Sequence, residues 1–298
     1  MRLEYVRSPL CRTPVYVFGE GNTNAAIVSG MHGDEHTSVL ACVLLCKLIR
    51  RIEDKLNGRV IVIPIANFEA FKYRRRLSLV DGLDLNRCFP GREGGSPTER
   101  HAWALWELVS EADYIIDVHT CGNCIPYILA MRAEGRRLGK LIRAIPIVDV
   151  VESHGTRGQL FIEATMRGKS AAILELPQRC YSSLSLRQAS IFARKILQTL
   201  INLDILGGDH VYMGHRYLGK RTDVVAPHRG LFLPKRRKGG VVGREETLGT
   251  IRGSSIVSPI EGILLAIRPP SFVFCGEKVA SVAPIITTSD EILKEKIE

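Results

Sequence analysis

Residues 25–36, with the sequence AAIVSGMHGDEH, join a run of apolar residues to a glycine-containing turn rich in His, Asp and Glu. The continuous apolar run at residues 25–29 predicts a buried strand. Residues 37–51 then show helical spacing and end in Lys and Arg, which suits a helix C-terminus. A buried strand, a turn and an amphipathic helix in this order are typical of an α/β domain.

The same alternation continues over the first two-thirds of the chain. Helical patterns cover residues 97–112, with Ser96 placed as the N-cap and Pro97 at the first position, and residues 185–203. Apolar, β-rich runs predict further buried strands at residues 59–66, 114–118 and 171–176. We therefore expect an α/β fold with a largely parallel or mixed sheet flanked by helices.

The character of the sequence changes near Gly207 and Gly208. From about residue 221 onward only short strand-like runs remain, separated by Gly, Pro and charged residues, which predicts a small all-β region of hairpins. We expect residues 1–215 to form an α/β domain and residues 216–298 a C-terminal β domain. A short helix is predicted at residues 290–297. The predicted hairpin strands are residues 230–233, 241–242, 248–251, 262–267 and 278–282.

Composition narrows the classes of protein to consider. The chain has 298 residues, a formal net charge of +10 and eight cysteines spread along its length. No apolar run reaches the ~18 residues that a membrane helix needs, and residues 1–10 lack the apolar segment of a secretory signal. We therefore expect a cytoplasmic protein with no membrane partner. The basic run at residues 235–238 has no interleaved aromatic residues, so nucleic-acid binding is not expected.

Two strand ends carry residues that can bind a metal. His32 and Glu35 are three apart in the turn after the first strand, and this spacing lets an imidazole and a carboxylate converge on one cation. Asp117 and His119 are two apart, so they face the same side of a later strand. His, Glu and His form a typical ligand set for a catalytic Zn²⁺. Asp117 would then be a carboxylate that orients an imidazole.

Other polar residues suggest hydrolytic chemistry around such a metal. Glu175 lies within the apolar run ILELP, where a carboxylate is costly unless it is paired or functional. Arg87 can bind a carboxylate through two hydrogen bonds, with Asn86 beside it. Arg76 is a candidate for stabilising an oxyanion. Together these residues predict a site that activates water against a carbonyl group.

The motifs HGDEH at 32–36, Arg76 followed by DGLDLNRCFPG at 81–91, DVHT at 117–120 and ILELP at 173–177 resemble the succinylglutamate desuccinylase/aspartoacylase family. The resemblance covers residues 20–285 and implies a zinc carboxypeptidase-like mixed sheet with an appended, barrel-like β domain. It implies hydrolysis of the amide bond in a small anionic N-acyl amino acid or N-acyl amine. It also implies one Zn²⁺ per chain and a homo-oligomer as one option.

The resemblance assigns a role to each residue singled out above. His32, Glu35 and His119 would bind zinc, and Glu175 would be the general base and then the proton donor to the leaving amine. Arg76 would stabilise the oxyanion. Asn86 and Arg87 would hold the substrate's carboxylate, and a further arginine is expected between His119 and Glu175. The nearest candidates for that arginine are Arg167 and then Arg157.

Some features leave alternatives open. A metallocarboxypeptidase acting on short peptides would use the same residues, and a basic nucleic-acid-binding protein without catalysis is the third hypothesis. No tyrosine follows Tyr217, although aspartoacylase proper uses one from its C-terminal domain. Cys121 and Cys124 could form a disulfide, a redox-sensitive gate or an extra metal contact. We favour the plainer interpretation, two loop cysteines that are reduced in the cytosol or bridged in a hyperthermophile.

Overall fold

A computed structural model describes residues 1–131, 136–178 and 183–288. The helices are α1 His36–Arg50, α2 Phe68–Tyr73, α3 Pro97–Val109, α4 Arg136–Ala144, α5 Leu160–Met166 and α6 Ser183–Asn202, and short 3₁₀ turns span Glu53–Lys55 and Leu85–Arg87. The strands are β1 Arg2–Arg7, β2 Arg12–Phe18, β3 Asn24–Ser29, β4 Arg59–Ile63, β5 Tyr114–Thr120, β6 Tyr127–Ala130, β7 Asp149–Glu152, β8 Ser170–Leu176, β9 Arg216–Leu218, β10 Thr222–Val225, β11 Gly230–Pro234, β12 Val241–Val242, β13 Thr247–Ile251, β14 Ser254–Val257, β15 Gly262–Ile267, β16 Ser271–Val273, β17 Lys278–Ala283 and β18 Ile285–Thr288.

One ten-stranded mixed sheet organises the fold, in the order β1-β2-β4-β3-β5-β8-β6-β7-β9-β18. Its centre, β4, β3, β5 and β8, is parallel, and β6 turns antiparallel to β8. The predicted mixed α/β fold is thus confirmed. In a parallel centre the strand ends that carry His119 and Glu175 lie at one edge of the sheet.

Two apolar layers cover the faces of this sheet. On one face α1, α4 and α6 bury residues such as Leu45 and Ile196 against the sheet. On the other face α3 and α5 contribute Leu105 and Phe161. In the described part of the chain, no helix combines the length and apolarity needed to cross a membrane.

The helix at residues 97–112 shows how the local sequence sets an element boundary. Pro97 opens α3, and the Ser96 side chain accepts a hydrogen bond from the Glu99 backbone N–H while the Glu99 carboxylate accepts one from the Ser96 N–H. This capping box satisfies two of the donors that a helix start leaves free. The prediction for this helix start is confirmed, and its end at Val109 comes three residues before the expected one.

The C-terminal part forms two four-stranded antiparallel sheets, β10-β17-β15-β12 and β14-β13-β11-β16. They share an apolar core that includes Phe232 and Leu248. However, β9 and β18 pair with each other, and β9 also pairs with β7, so both belong to the ten-stranded sheet. The division at residue 216 stays a prediction, and the helix predicted at residues 290–297 lies outside the described residues.

Candidate metal and catalytic site

Three neighbouring strand ends bring the predicted site residues together. The turn after β3 carries His32 and Glu35, the end of β5 carries His119, and the end of β8 carries Glu175. His119 and Glu175 are register partners in the parallel β5–β8 pair, so their side chains lie on the same face of the sheet. The turn therefore faces both strand ends.

Glycine shapes the turn that holds His32. Gly33 packs so closely against α2 that an added Cβ would lie 1.9 Å from the Ala70 carbonyl oxygen. Its N–H also donates to the Arg75 carbonyl oxygen, 2.8 Å away. A side chain at this position would push the turn away from α2. Gly33 thus lets the turn that carries His32 pack directly against α2.

His32, Glu35 and His119 form a buried cluster that could hold a metal ion. One ligand atom from each residue can be chosen so that all three lie within 4.8 Å of one another. The Nδ1 atom of His32 is 2.7 Å from Glu35 Oε1, and the Nδ1 atom of His119 is 3.1 Å from Glu35 Oε2. The three side chains therefore converge through the atoms that would bind a cation.

A carboxylate oxygen lies close to the other nitrogen of each imidazole. His32 Nε2 is 3.0 Å from Asp84 Oδ1, and His119 Nε2 is 3.0 Å from Asp117 Oδ1. Such outer carboxylates fix the tautomer and orientation of metal-binding imidazoles and raise their basicity. The expected position of Asp117 beside an imidazole is seen, and Asp84 plays the same part for His32 although the sequence did not single it out.

The electrostatics of the cluster favour positive charge. Burial alone would raise the pKa of Glu35, but the charge of His119 and hydrogen bonds from both imidazoles lower it to about 2. Burial opposes charge on His119, yet Asp117 and Glu35 hold its pKa well above the ordinary value. Hydrogen bonds to Asp84 and Glu35 likewise raise the pKa of His32 against burial. Three carboxylates, those of Glu35, Asp84 and Asp117, surround the two imidazoles. Their negative charge would stabilise a divalent cation bound at the cluster.

The donor set fits zinc. Two imidazole nitrogens and one carboxylate are a three-ligand set typical of catalytic Zn²⁺, which keeps a fourth position for water. In this structure the two outer carboxylates supply the support that such ligands need. The cluster could therefore bind Zn²⁺ without rearrangement of the strands that carry it.

Glu175 sits beside the cluster with one oxygen free. Its Oε2 atom is buried and has no hydrogen-bond partner among the described residues. Burial raises the pKa of Glu175, although the positive charge of His119 opposes the shift. A carboxylate that is raised in basicity and has an unused oxygen can accept a proton from a nearby group.

The predicted substrate-binding residues lie around the same cluster. Asn86 is buried, and its Nδ2 atom is 3.0 Å from His119 Nε2. Arg87 is exposed, and its Nη1 donates to the Asn86 carbonyl oxygen at 2.6 Å. Arg76 pairs with Asp84 at 3.1 Å, and its Nη1 lies 3.9 Å from Glu35 Oε1. The structure thus places these three residues around the cluster, and their roles towards a substrate stay predictions.

Both candidates for the further arginine are engaged elsewhere. Arg157 and Arg167 each form an ion pair with Glu163, at 2.5 and 2.6 Å. The arginine that does lie beside Glu175 is Arg221, which donates to the Tyr127 hydroxyl at 2.8 Å. No motif pointed to Arg221 or Tyr127, because the position of Tyr127 opposite Glu175 depends on the register of β6 against β8.

Cys121 and Cys124 form a disulfide directly after the strand that carries His119. The turn between them brings their Cα atoms to 5.9 Å, within the range that a disulfide can span. An isolated bridge between Cys124 and Ala266 links this loop to β15. Of the states left open for these two loop cysteines, the structure contains the bridged one, and the loop ties the site to the C-terminal sheets.

Known protein sequences match this chain over parts of its length. The profile of the succinylglutamate desuccinylase/aspartoacylase catalytic domain matches residues 22–201. An N-alpha-acetyl-L-2,4-diaminobutyric acid deacetylase from Halomonas elongata is 39% identical over 111 residues, which are 37% of this chain and 32% of that enzyme. The match therefore spans about a third of the relative's length.

Solved structures share the fold over nearly the whole chain. A succinylglutamate desuccinylase/aspartoacylase from Rhodobacter sphaeroides superimposes with a TM-score of 0.81 at 25% identity, covering 96% of each chain. The product-bound ectoine utilization protein EutE from Ruegeria pomeroyi gives a TM-score of 0.78 at 24% identity, covering 92% of this chain and 89% of that one. The second likeness shows the fold alone.

Proposed function

Because the chain belongs to the succinylglutamate desuccinylase/aspartoacylase family, we propose that it is a zinc-dependent hydrolase of the amide bond in a small N-acyl amino acid or N-acyl amine. The observation that carries this proposal is the buried His32, Glu35 and His119 cluster beside the free oxygen of Glu175. Either feature alone could be structural. Together they supply a cation site and a base at one sheet edge.

In this proposal His32, Glu35 and His119 hold one Zn²⁺ per chain, and Asp84 and Asp117 orient the two imidazoles. Bound zinc would polarise the substrate carbonyl and lower the pKa of a water molecule from about 15.7 towards ~7. Because the three ligands are buried, a cation bound there would be shielded from bulk solvent, which would strengthen its electrostatic effect on a substrate.

Glu175 takes a proton from the attacking water on its free Oε2 oxygen and returns it to the leaving nitrogen. Its raised pKa supports both steps, since a more basic carboxylate accepts the proton readily and its acid form persists until the amine departs. Arg76, half-exposed at the rim, offers N–H groups to the oxygen that becomes negative.

Asn86 and Arg87 bind the carboxylate of an anionic substrate. Among the described residues no carboxylate lies within ion-pair distance of Arg87, although its charge acts on Asp84, and its side chain is exposed. The Halomonas relative is named for an N-acetyl amino acid, which makes N-acetyl amino acids the first substrates to test. The cytoplasmic location and a homo-oligomeric state stay predictions.

Metal content tests the proposal first. We expect about one zinc per chain in wild type purified without added metal, measured by inductively coupled plasma mass spectrometry, and its loss in His119→Ala. The matched control is His101→Ala, which removes another buried histidine. Folded wild type that neither contains nor takes up zinc would overturn the proposal.

A substrate panel then separates the two enzymatic hypotheses. N-acetyl amino acids with acidic, neutral and basic side chains are compared with dipeptides, and release of the free amine is measured. Turnover of the N-acetyl compounds supports a deacylase. Faster turnover of dipeptides would favour a metallocarboxypeptidase instead.

A further inference from the structure

The turn that carries Glu35 leaves the sheet before the strand that carries His119 ends. The β3–β5 pairing stops with Ser29 opposite Val118, so among the described residues sheet hydrogen bonds do not hold this turn to the end of β5. The two meet through the Glu35 side chain, whose Oε2 accepts from the Thr120 N–H at 2.8 Å and lies 3.1 Å from His119 Nδ1. Both contacts use the carboxylate that would also bind a cation.

Gln178 joins the same two segments without using a ligand atom. Its Nε2 donates to the Asp34 carbonyl oxygen at 2.8 Å, and its Oε1 accepts from the Thr120 hydroxyl at 3.0 Å. Asp34 directly precedes Glu35 in the sequence, and Thr120 directly follows His119. The amide of Gln178 therefore connects the neighbour of one proposed ligand to the neighbour of another.

The backbone of Gln178 is itself held in place just after β8. Beyond the last register pair of β5 and β8, the Cys121 N–H donates to the Leu176 carbonyl oxygen at 3.1 Å. The Gln178 N–H then donates to the Gly122 carbonyl oxygen at 2.8 Å. Glu175, the proposed base, lies three residues earlier on the same strand. The amide thus links the segment of the base to both ligand segments.

The link through Gln178 can persist when a cation is bound. In the loaded site the carboxylate of Glu35 and the imidazole of His119 would bind the cation rather than each other. The Asp34 carbonyl and the Thr120 hydroxyl are not among these ligand atoms. Their hydrogen bonds to Gln178 can therefore hold the two ligand segments together in both the free and the loaded protein.

We propose that Gln178 is a positioning residue that sets the separation between Glu35 and His119, and thereby the affinity of the site for a divalent cation. The inference rests on the proposed function, in which these residues hold zinc. Ligands that are already held in place bind a metal more tightly than ligands that must first be ordered, because ordering them costs entropy. Loss of the amide removes two hydrogen bonds that hold the ligand segments together.

Gln178→Met tests this role. Methionine keeps the length of the side chain and adds no charge near the cation, but it can neither donate to Asp34 nor accept from Thr120. We expect zinc affinity, measured by competition with a chromogenic chelator, to fall roughly 2- to 10-fold, which is the value of one ordinary hydrogen bond. The visible absorption of bound Co²⁺, which depends on coordination geometry, should change as well. An affinity equal to that of wild type would overturn the proposal.

Gln198→Met is the matched control. Gln198 lies on α6, and its Nε2 donates to Asn202 Oδ1 at 3.0 Å and to the Asp209 carbonyl oxygen at 2.9 Å. This variant should lose a similar unfolding free energy but keep the zinc affinity and the Co²⁺ spectrum of wild type. An equal loss of zinc affinity in both variants would contradict a positioning role, because general destabilisation would then explain it.

Thr120→Val shows whether the two hydrogen bonds of Gln178 act as one link. Valine keeps the branched shape and the backbone N–H that donates to Glu35, but it lacks the hydroxyl. We expect a smaller loss of zinc affinity than in Gln178→Met, and a protein with both changes should bind zinc as Gln178→Met does. Losses that multiply when the changes are combined would count against the proposal, since the two side chains would then act independently.

Zinc affinity and turnover separate this inference from the proposed function. If wild type binds zinc but hydrolyses no N-acyl amino acid, the proposed function fails, and the chelator competition still judges Gln178. If wild type hydrolyses these compounds and Gln178→Met binds zinc as tightly as wild type, the function stands and the positioning role is refuted. Wild type that binds no zinc would refute both.

Discussion

Two buried histidine clusters differ in the charge of their partners. His101, on α3, is fully buried, and its nitrogens lie 2.8 Å from the Ser8 hydroxyl and 2.7 Å from the Ala66 carbonyl oxygen. Its partners are a hydroxyl, a backbone carbonyl and the Cys11 thiol 3.6 Å away, and none of them is a carboxylate. By contrast, each nitrogen of His32 and His119 lies near a carboxylate.

This comparison shows that burial and hydrogen bonding of a histidine are not enough to identify a metal site. Both clusters satisfy their imidazoles, but only the carboxylate-lined one gathers enough negative charge to favour a divalent cation. The His101 cluster holds the N-terminal segment against α3 and the end of β4. Variants in the two clusters should therefore affect different properties.

The largest difference should come from the histidines themselves. His119→Ala is expected to abolish zinc binding and measurable turnover, because the cluster loses a ligand. His101→Ala should keep its zinc and lose roughly 1–3 kcal/mol of unfolding free energy, because it leaves buried polar groups unpaired. Zinc content and urea unfolding measure the two effects. If His101→Ala lost as much zinc as His119→Ala, the proposed difference between the two histidine clusters would be wrong.

Glu175→Gln should lower kcat by roughly 10²–10⁴-fold while the zinc content stays that of wild type. The reason is that glutamine keeps the shape of the side chain but cannot accept the proton. Steady-state kinetics on a hydrolysed N-acetyl amino acid, with zinc measured on the same sample, provides the test. A variant with full activity would exclude Glu175 as the base.

Asp117→Asn should weaken zinc affinity by roughly 10–100-fold, because the outer carboxylate no longer orients His119. Ser8→Ala, which removes the equivalent outer partner of His101, should leave zinc affinity unchanged. Competition with a chromogenic chelator measures both affinities. A loss of affinity in Ser8→Ala would show that general packing, rather than charge, controls the metal.

The pH dependence of the metal-free protein should reflect the same cluster. The pKa of Glu35 is lowered from 4.5 to about 2, so its contribution to stability is present above pH 4.5 and is lost as the pH falls through about 2. The difference in unfolding free energy between wild type and Glu35→Gln should shrink over that window. Ser8→Ala should show a difference from wild type that does not follow this titration. Denaturant unfolding at successive pH values measures both differences.

The smallest expected effect concerns the loop after His119. Replacing both Cys121 and Cys124 by serine should lower the free energy of unfolding by up to about 2 kcal/mol, because a disulfide that closes so short a loop restricts the unfolded chain little. Zinc content should be retained. Cys275→Ser, at an exposed free cysteine, is the control and should match wild type.

The sequence predicts those features of the structure that depend on a short stretch of chain better than those that depend on which strands pair. His32, Glu35 and His119 were predictable because polar residues follow apolar strands directly, and the parallel centre of the sheet aligns those strand ends. Arg221 and Tyr127 were not, because their position depends on which strands pair and in which register. For the same reason, the sequence does not predict that β18 pairs with β9 in the ten-stranded sheet.

The pairing of β9 with β18 makes residues 219–284 an insertion within a hairpin of the large sheet. The two ends of the insertion already touch, with Gly219 N 2.8 Å from the Pro284 carbonyl oxygen. A short turn could therefore close the hairpin after excision of the insertion, although α/β residues such as Tyr127 would then face solvent. Arg221, the arginine beside Glu175, therefore belongs to the inserted segment, whereas the metal cluster belongs wholly to the part of the chain that precedes it.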